Sequence, residues 1–197
     1  QKNPWFTGFG EKIFVDETLE IIIEQNPKVK KIYCILDDSL TGRGDGTQFL
    51  NAIKKYPNLT YEFITISRNS PEQIAARLSA IQADSVILCL SSLQSYAHRN
   101  SFSIYELIDF ISSYSRKIPV YRTNAVGIGN GFLGGKVYDH YAAACHAVEI
   151  VYEILEGKKH IFDFEYDEFA VGKYIFDYKI LKEFNINPST LPSETIF

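Results

Sequence analysis

The sequence predicts an α/β fold: a three-layer sandwich built around a mainly parallel sheet of about five strands. Three observations predict it. Short apolar runs of strand length recur along the chain, as in Lys31–Leu36 and Ser85–Leu90. Segments with helical periodicity separate them, two of them opened by capping boxes at Ser70 and Ser103. Strands that alternate with helices join by right-handed crossovers, which places successive strands parallel.

The chain has 197 residues, 46% hydrophobic and 22% charged, with a formal net charge of -4. Such a chain buries a substantial core as one domain, residues 1–197. Its charge gives no electrostatic reason to expect nucleic acid or an anionic membrane surface. No apolar run approaches bilayer-spanning length. The chain begins at Gln1 and contains no Met. That is expected of a processed or excised piece, with any leader or anchor outside it. Cys34, Cys89 and Cys145 all sit in apolar surroundings and are expected to be buried, inert thiols. No metal-ligand spacing is present, and no metal or cofactor is expected.

Taken in order, Asp16 is placed to cap a helix whose face carries Leu19, Ile22 and Ile23, ending near Pro27. Lys31–Leu36 reads as a strand covered on both faces. The glycines from Thr41 to Gly46 read as a turn before a helix carrying Phe49, Leu50 and Ile53, stopped by Pro57. Tyr61–Ile66 alternates and suits a more exposed strand. The helix after Ser70 has Pro71 in its first turn and Ile74, Leu78 and Ile81 as its buried stripe. Ser85–Leu90 is a third strand, the Ser103 helix runs through Tyr114, and Pro119–Tyr121 is a fourth strand. Residues 126–135, rich in glycine, and the first ten residues read as irregular. Lys136–Tyr138 is a fifth strand and Lys173–Phe176 a late one. The arrangement implied is a flavodoxin-like strand order.

The helix from Tyr141 to Leu155 stands apart. Ala142, Ala143, Ala147, Val148, Ile150, Val151, Ile154 and Leu155 cover well over half its circumference. A surface helix needs an apolar stripe only about 100° wide. Either this helix is sandwiched inside the domain, or it packs on something beyond the chain: a missing lobe, or a second copy in a homodimer through residues 141–155.

Three stretches carry a family resemblance. They are Asp37-Asp38-Ser39-Leu40-Thr41-Gly42, Gly131-Phe132-Leu133-Gly134-Gly135-Lys136-Val137, and Phe176-Asp177-Tyr178 with Leu181-Lys182-Glu183-Phe184 and Leu191-Pro192. In this order and spacing the chain resembles extracytoplasmic sensor domains built like the substrate-binding proteins of ABC transporters, as found on histidine kinases and diguanylate cyclases. The resemblance begins at Thr7-Gly8. It implies a type I periplasmic-binding-protein lobe, the C-terminal one of two, with residues 126–172 holding the hinge crossings and a return helix. It also implies a non-enzymatic role in sensing a small solute, in a membrane-anchored signalling receptor outside the cytoplasm. A transporter's solute-binding protein is the alternative on the same fold. The expected partners are an N-terminal lobe and a sugar, an amino acid or a small carboxylate.

In an open parallel sheet, ligands bind beyond the carboxyl ends of the strands. Those ends supply Asp37, Asp38, Ser39 and Thr41, then Ser67 and Arg68, then Ser91, Ser92 and Gln94, then Arg122, Thr123 and Asn124. The candidate ligand-binding set is Asp37, Asp38, Ser39, Thr41, Ser91, Ser92, Gln94, Arg122 and Asn124. It can hydrogen-bond hydroxyls or an amide, and Arg122 can grip a carboxylate with two parallel bonds.

Competing chemistries fit less well. Asp37-Asp38 resembles the acidic pair of a phosphorylated receiver domain, but the third strand ends in Ser91-Ser92 rather than a carboxylate. A nucleotide- or flavin-dependent enzyme is a further alternative, since Gly42-Arg43-Gly44-Asp45-Gly46 follows the first strand. Its spacing is not that of a dinucleotide fingerprint. No Gly-x-Ser-x-Gly elbow is present. His98, His140, His146 and His160 are scattered.

Overall fold

A computed structural model describes residues 6–91, 102–115 and 117–197. Its elements, in chain order, are β1 (Phe9–Glu11), α1 (Val15–Gln25), β2 (Lys31–Leu36), α2 (Leu40–Ala52), β3 (Thr60–Thr65), α3 (Pro71–Ser79) and β4 (Ser85–Cys89). There follow α4 (Ile104–Tyr114), β5 (Val120–Arg122), β6 (Gly134–Tyr138), α5 (His140–Leu155), β7 (Asp167–Phe169), β8 (Gly172–Phe176) and α6 (Tyr178–Glu183).

The main sheet has six strands in the order β3-β2-β4-β5-β6-β8. All neighbours are parallel except β6 and β8. Counted within the sheet, the first five strands follow the expected flavodoxin-like order. One face packs on Leu19 and Ile22 of α1, Phe49 of α2 and Leu181 of α6. The other packs on Ile74 and Leu78 of α3 and Leu107 and Ile111 of α4. The result is the three-layer sandwich, with β2 and β4 at its centre. Edge strand β3 is the more exposed strand expected, with only Ile64 buried, but its burial does not alternate. No helix among the described residues is long and apolar enough to cross a membrane.

Local chemistry explains the helix starts. Ser70 accepts from the Gln73 amide while Gln73 accepts from the Ser70 amide, and Ser103 and Glu106 repeat this pairing. Both capping boxes form as expected. The cap assigned to Asp16 does not. The α1 cap position is Phe14, with no side-chain bond, and Asp16 instead pairs with Lys55 at 2.7 Å.

The glycine-rich stretch after β2 is helix, not turn. Glycine is a poor helix former, so tertiary contact overrides propensity here. Ser39 Oγ accepts the Gly42 amide at 3.0 Å and starts α2. Gly42 then lies so close to β2's end that a Cβ would collide with the Asp37 carbonyl and carboxylate. Only glycine lets α2 begin against that strand.

A small second sheet lies off the main one. β1 and β7 pair in parallel, Phe9 opposite Asp167 and Glu11 opposite Phe169. β1 begins within the ten residues expected to be irregular, and the sequence carried no expectation for β7, because three-residue strands carry no measurable periodicity. The chain leaves the main sheet after Tyr138, forms α5, and returns through β7 to β8. Within residues 126–172, the segment 134–138 is a full strand of the sandwich. The passage out and back is therefore 139–171.

The long helix is not enclosed. Ala143 is its sole buried residue, while Tyr141 is 78% exposed, Val148 67% and Leu155 80%. Cys145 is exposed as well, contrary to the expectation of a buried thiol; Cys34 and Cys89 are buried. The inner side of α5 rests on the small ribbon, where His146 stacks on Phe169 with ring centroids 4.5 Å apart.

Two alanine substitutions on α2 test this account. Gly42→Ala is expected to destabilise the chain by about 1–3 kcal/mol through overpacking. Gly44→Ala, where a Cβ meets nothing within 4 Å, is expected to stabilise it by about 0.4–1 kcal/mol. Urea unfolding midpoints read both.

Candidate ligand-binding site

Beyond the carboxyl ends of β2, β4 and β5 lies a cavity of about 420 Å³. Its floor is formed by strand ends: Leu90 and Ser91 after β4, and Arg122, Thr123 and Asn124 at and after β5. Thr41 and Asp45 of α2 form one side, and Glu11, Ile13, Val126 and His140 complete the rim. The cavity thus sits where α2, the ribbon and the first residue of α5 converge on the sheet.

Arg122 is the decisive side chain. It is the last residue of β5 and only 3% exposed. Its Nη1 lies 3.8 Å from Cys89 Sγ and its guanidinium 5.4 Å from the Phe132 ring centroid. Its Nε has no hydrogen-bond partner. Among the described residues no carboxylate pairs with it. A guanidinium buried without a counter-charge is costly. Gly135 fixes its position, since a Cβ there would strike the Arg122 carbonyl.

Asp45 faces the same cavity and is 4% exposed. Its Oδ2 accepts the Ser91 amide at 3.0 Å. Burial raises its pKa above the ordinary carboxylate value, and the Ser91 contacts only partly offset that. Ser91 is held from a second side, its carbonyl accepting the Asp37 amide at 2.9 Å. Asn124 Oδ1 accepts the Val126 amide at 2.9 Å, turning the loop over the cavity.

Of the nine residues expected from the sequence, Thr41, Ser91, Arg122 and Asn124 meet at this cavity. Asp37, Asp38 and Ser39 do not line it. Asp37 Oδ1 accepts from the Ser39 amide and hydroxyl, so the two build the turn that aims α2. Asp38 points to Arg68, whose Nε donates to it at 2.7 Å, and that guanidinium holds its pKa down. The two neighbouring carboxylates diverge, so they form no acidic pocket of the receiver type. Ser92 and Gln94 lie outside the described residues, as do Tyr96 and His98. Sequence reasoning missed Asp45, Glu11 and His140. Asp45 follows Thr41 by four residues, so reading the glycine stretch as helix would have placed both on one face.

A cavity of about 270 Å³ between α5 and the ribbon is lined by Phe9, His146, Ile150 and Phe169 with several glutamates. It lies away from the strand ends. No group of His, Cys, Asp or Glu that could hold a metal ion occurs among the described residues.

No protein-family model and no curated protein sequence matches this chain. Solved structures do. An ABC domain in complex with L-Trp from Streptococcus pneumonia superimposes with a TM-score of 0.71 at 20% identity, over 96% of this chain and 64% of that one. The ligand-free, open structure of a substrate-binding protein with adhesive properties from Clostridium difficile gives 0.70 at 18% identity, over 96% and 62%. The sugar-binding protein of a sugar ABC transporter from Bacillus halodurans gives 0.61 at 9% identity, over 88% and 65%. These neighbours are periplasmic-binding-protein-like substrate-binding proteins, and this chain shares their fold, a mostly parallel sheet flanked by helices. The chain spans less than two thirds of the length of each.

Asp45 yields a pH test. A carboxyl whose folded pKa is raised binds its proton more tightly in the folded chain. Stability therefore falls as pH rises from the unfolded pKa through the raised folded one. Asp45→Asn keeps an acceptor for the Ser91 amide without the buried charge. It is expected to raise the urea midpoint at neutral pH, with the gain vanishing below the ordinary carboxylate range. A variant less stable than the parent at neutral pH would contradict this.

Proposed function

We propose that this chain is the ligand-binding lobe of a small-solute receptor that performs no chemistry on its ligand. The observation that carries this reading is the cavity at the strand ends, where Arg122 is buried with no carboxylate partner among the described residues, in a fold shared with substrate-binding proteins. The site residues of this proposal are Thr41, Asp45, Ser91, Arg122, Thr123 and Asn124. The likeness of the Gly131–Val137 and Phe176–Pro192 stretches to sensor domains favours a membrane-anchored signalling receptor facing outside the cytoplasm. A transporter's solute-binding protein is the second reading, and the descriptions of the neighbouring structures favour it.

A second lobe belongs to the same proposal. The outward residues of α5, Tyr141, Val148, Val151 and Leu155, form an apolar stripe that the chain does not cover. An N-terminal lobe seated on it completes the far wall of the cavity, and hinge closure then encloses the ligand. A homodimer through α5 is the competing occupant. Sedimentation separates the two: the intact gene product is expected to stay monomeric, and Val148→Glu with Leu155→Glu to lower its melting midpoint. A dimer that these substitutions dissociate without loss of fold would favour self-association.

Binding is tested by a thermal-shift screen of sugars, amino acids and small carboxylates on the intact gene product. A ligand present at 100 times its Kd raises stability by about 2.7 kcal/mol. The shift is expected to disappear in Arg122→Lys and to shrink in Ser91→Ala. A shift of full size in both would place the ligand elsewhere.

A further inference from the structure

Asn130 is the only asparagine of the chain that is followed by glycine. It stands exposed in the turn between β5 and β6. Its neighbours Gly129 and Gly131 both hold left-handed backbone, with φ of 87° and 103°, and neither carries a Cβ to crowd its side chain. Among the described residues the Asn130 side chain makes no hydrogen bond, and the Gly131 N–H donates to nothing. The other described asparagines each fail one of these conditions. Asn26 and Asn187 precede proline, which has no N–H. The amide after Asn58 is held by the Tyr56 carbonyl, that after Asn69 by Gln73 Oε1, and that after Asn185 by the Leu181 carbonyl. Asn51 lies within α2, and Asn124 Oδ1 accepts the Val126 amide.

We propose that Asn130 is a self-modifying site in the folded protein. The Gly131 nitrogen gives up its proton and attacks Asn130 Cγ. The bond from Cγ to the side-chain nitrogen breaks, and that nitrogen leaves with the proton as ammonia. The product is a five-membered succinimide. Water then adds to one of its two carbonyls and opens the ring, giving aspartate or isoaspartate. In sum, one water is consumed, one ammonia is released, and the turn gains a negative charge. The fold cannot escape the reaction through Gly131. Its φ is one that favours glycine, and a Cβ there would strike Ser112 Oγ. The isoaspartyl product routes the main chain through the side chain and lengthens it by one methylene. The turn has no slack for this. The Gly127 carbonyl accepts the Asn130 amide at 3.0 Å and the Phe132 amide at 3.1 Å, closing the chain around the altered residue. Phe132 is fully buried, with its ring 5.4 Å from the Arg122 guanidinium. Conversion to isoaspartate therefore loosens a core anchor beside the cavity.

The experiment is timed incubation of the intact gene product at neutral and mildly alkaline pH, followed by peptide mapping in a mass spectrometer. A synthetic peptide of residues 126–134 is aged beside it as the unfolded reference. Acid is expected to appear at position 130 of the folded protein at a rate close to that of the peptide, and faster at the higher pH. Asn58, Asn69, Asn124 and Asn185 are expected to remain amides over the same period. Asn130→Gln, which would have to close a larger ring, is expected to stay unmodified. The aged protein is then separated by ion exchange, and its isoaspartyl fraction is unfolded in urea beside fresh Asn130→Asp. The isoaspartyl fraction is expected to show a lowered midpoint, and Asn130→Asp, with the charge but no added methylene, a midpoint near the parent's. A folded protein that keeps its amide while the peptide is converted would overturn the proposal. Acid arising equally at the other asparagines would overturn it as well. An isoaspartyl fraction as stable as the parent would overturn the effect on Phe132.

Discussion

The arrangement of this molecule turns on a buried guanidinium that no carboxylate among the described residues neutralises. Moving a charge out of water costs several kcal/mol even after relaxation. Folded chains meet that cost with a counter-charge or a set of hydrogen bonds. Arg122 has a thiol at 3.8 Å and the face of Phe132, both weak substitutes for a carboxylate. Its place is nevertheless tightly fixed. It ends a three-residue strand, its carbonyl is approached by Gly135 of the next strand, and its side chain is walled by β4. Packing holds the charge in position, and under the proposed function its counter-charge comes from the ligand.

A second division follows from where the apolar surface goes. The sandwich has two cores, one on each face of the main sheet, and both are closed. The ribbon and α5 share only a small third cluster built on Phe14, Tyr138 and Ala143. A helix of 16 residues with a single buried position gains little from tertiary contact on its own chain. Helices of that length are marginal in water when unsupported, and Val148, Ile150, Val151 and Ile154 are β-branched residues that lower helix propensity further. The outer stripe of α5, with Tyr141, Val148, Val151 and Leu155, stays exposed. It also sits beside the cavity, because His140 opens the helix and lines the rim. A lobe seated on α5, as proposed, would approach the cavity along the same edge.

Much of the sandwich was legible because its signals are local. Six-residue apolar runs, capping boxes at Ser70 and Ser103, and prolines at 27 and 57 each speak for their own segment. The exposed stripe of α5 was legible as excess apolar circumference. What the sequence hid depends on contacts between distant segments. The three-residue strands β1 and β7 exist only because they pair across more than 150 residues. The α2 glycines read as a turn because propensity is local, whereas the need for Gly42 comes from Asp37 passing beneath it. Asp45 was hidden by the same misreading, and its partner Ser91 is 46 residues away. Asp37, Asp38 and Ser39 stood at a strand end, where the rule for open sheets looks for ligand contacts. Their side chains are used to turn the chain and to pair with Arg68. Strand order located the cavity, and the competition for each side chain decided which residues face it.

The central claim, that Arg122 is held unneutralised for a ligand, is most directly tested by removing its charge while keeping its bulk. Urea unfolding of Arg122→Met in the ligand-free chain is that measurement. An unpaired buried charge is a cost, so the variant is expected to be more stable than the parent, by about 1–3 kcal/mol. A variant less stable by a similar amount would mean that the guanidinium already has its counterpart within the fold, and would contradict the account.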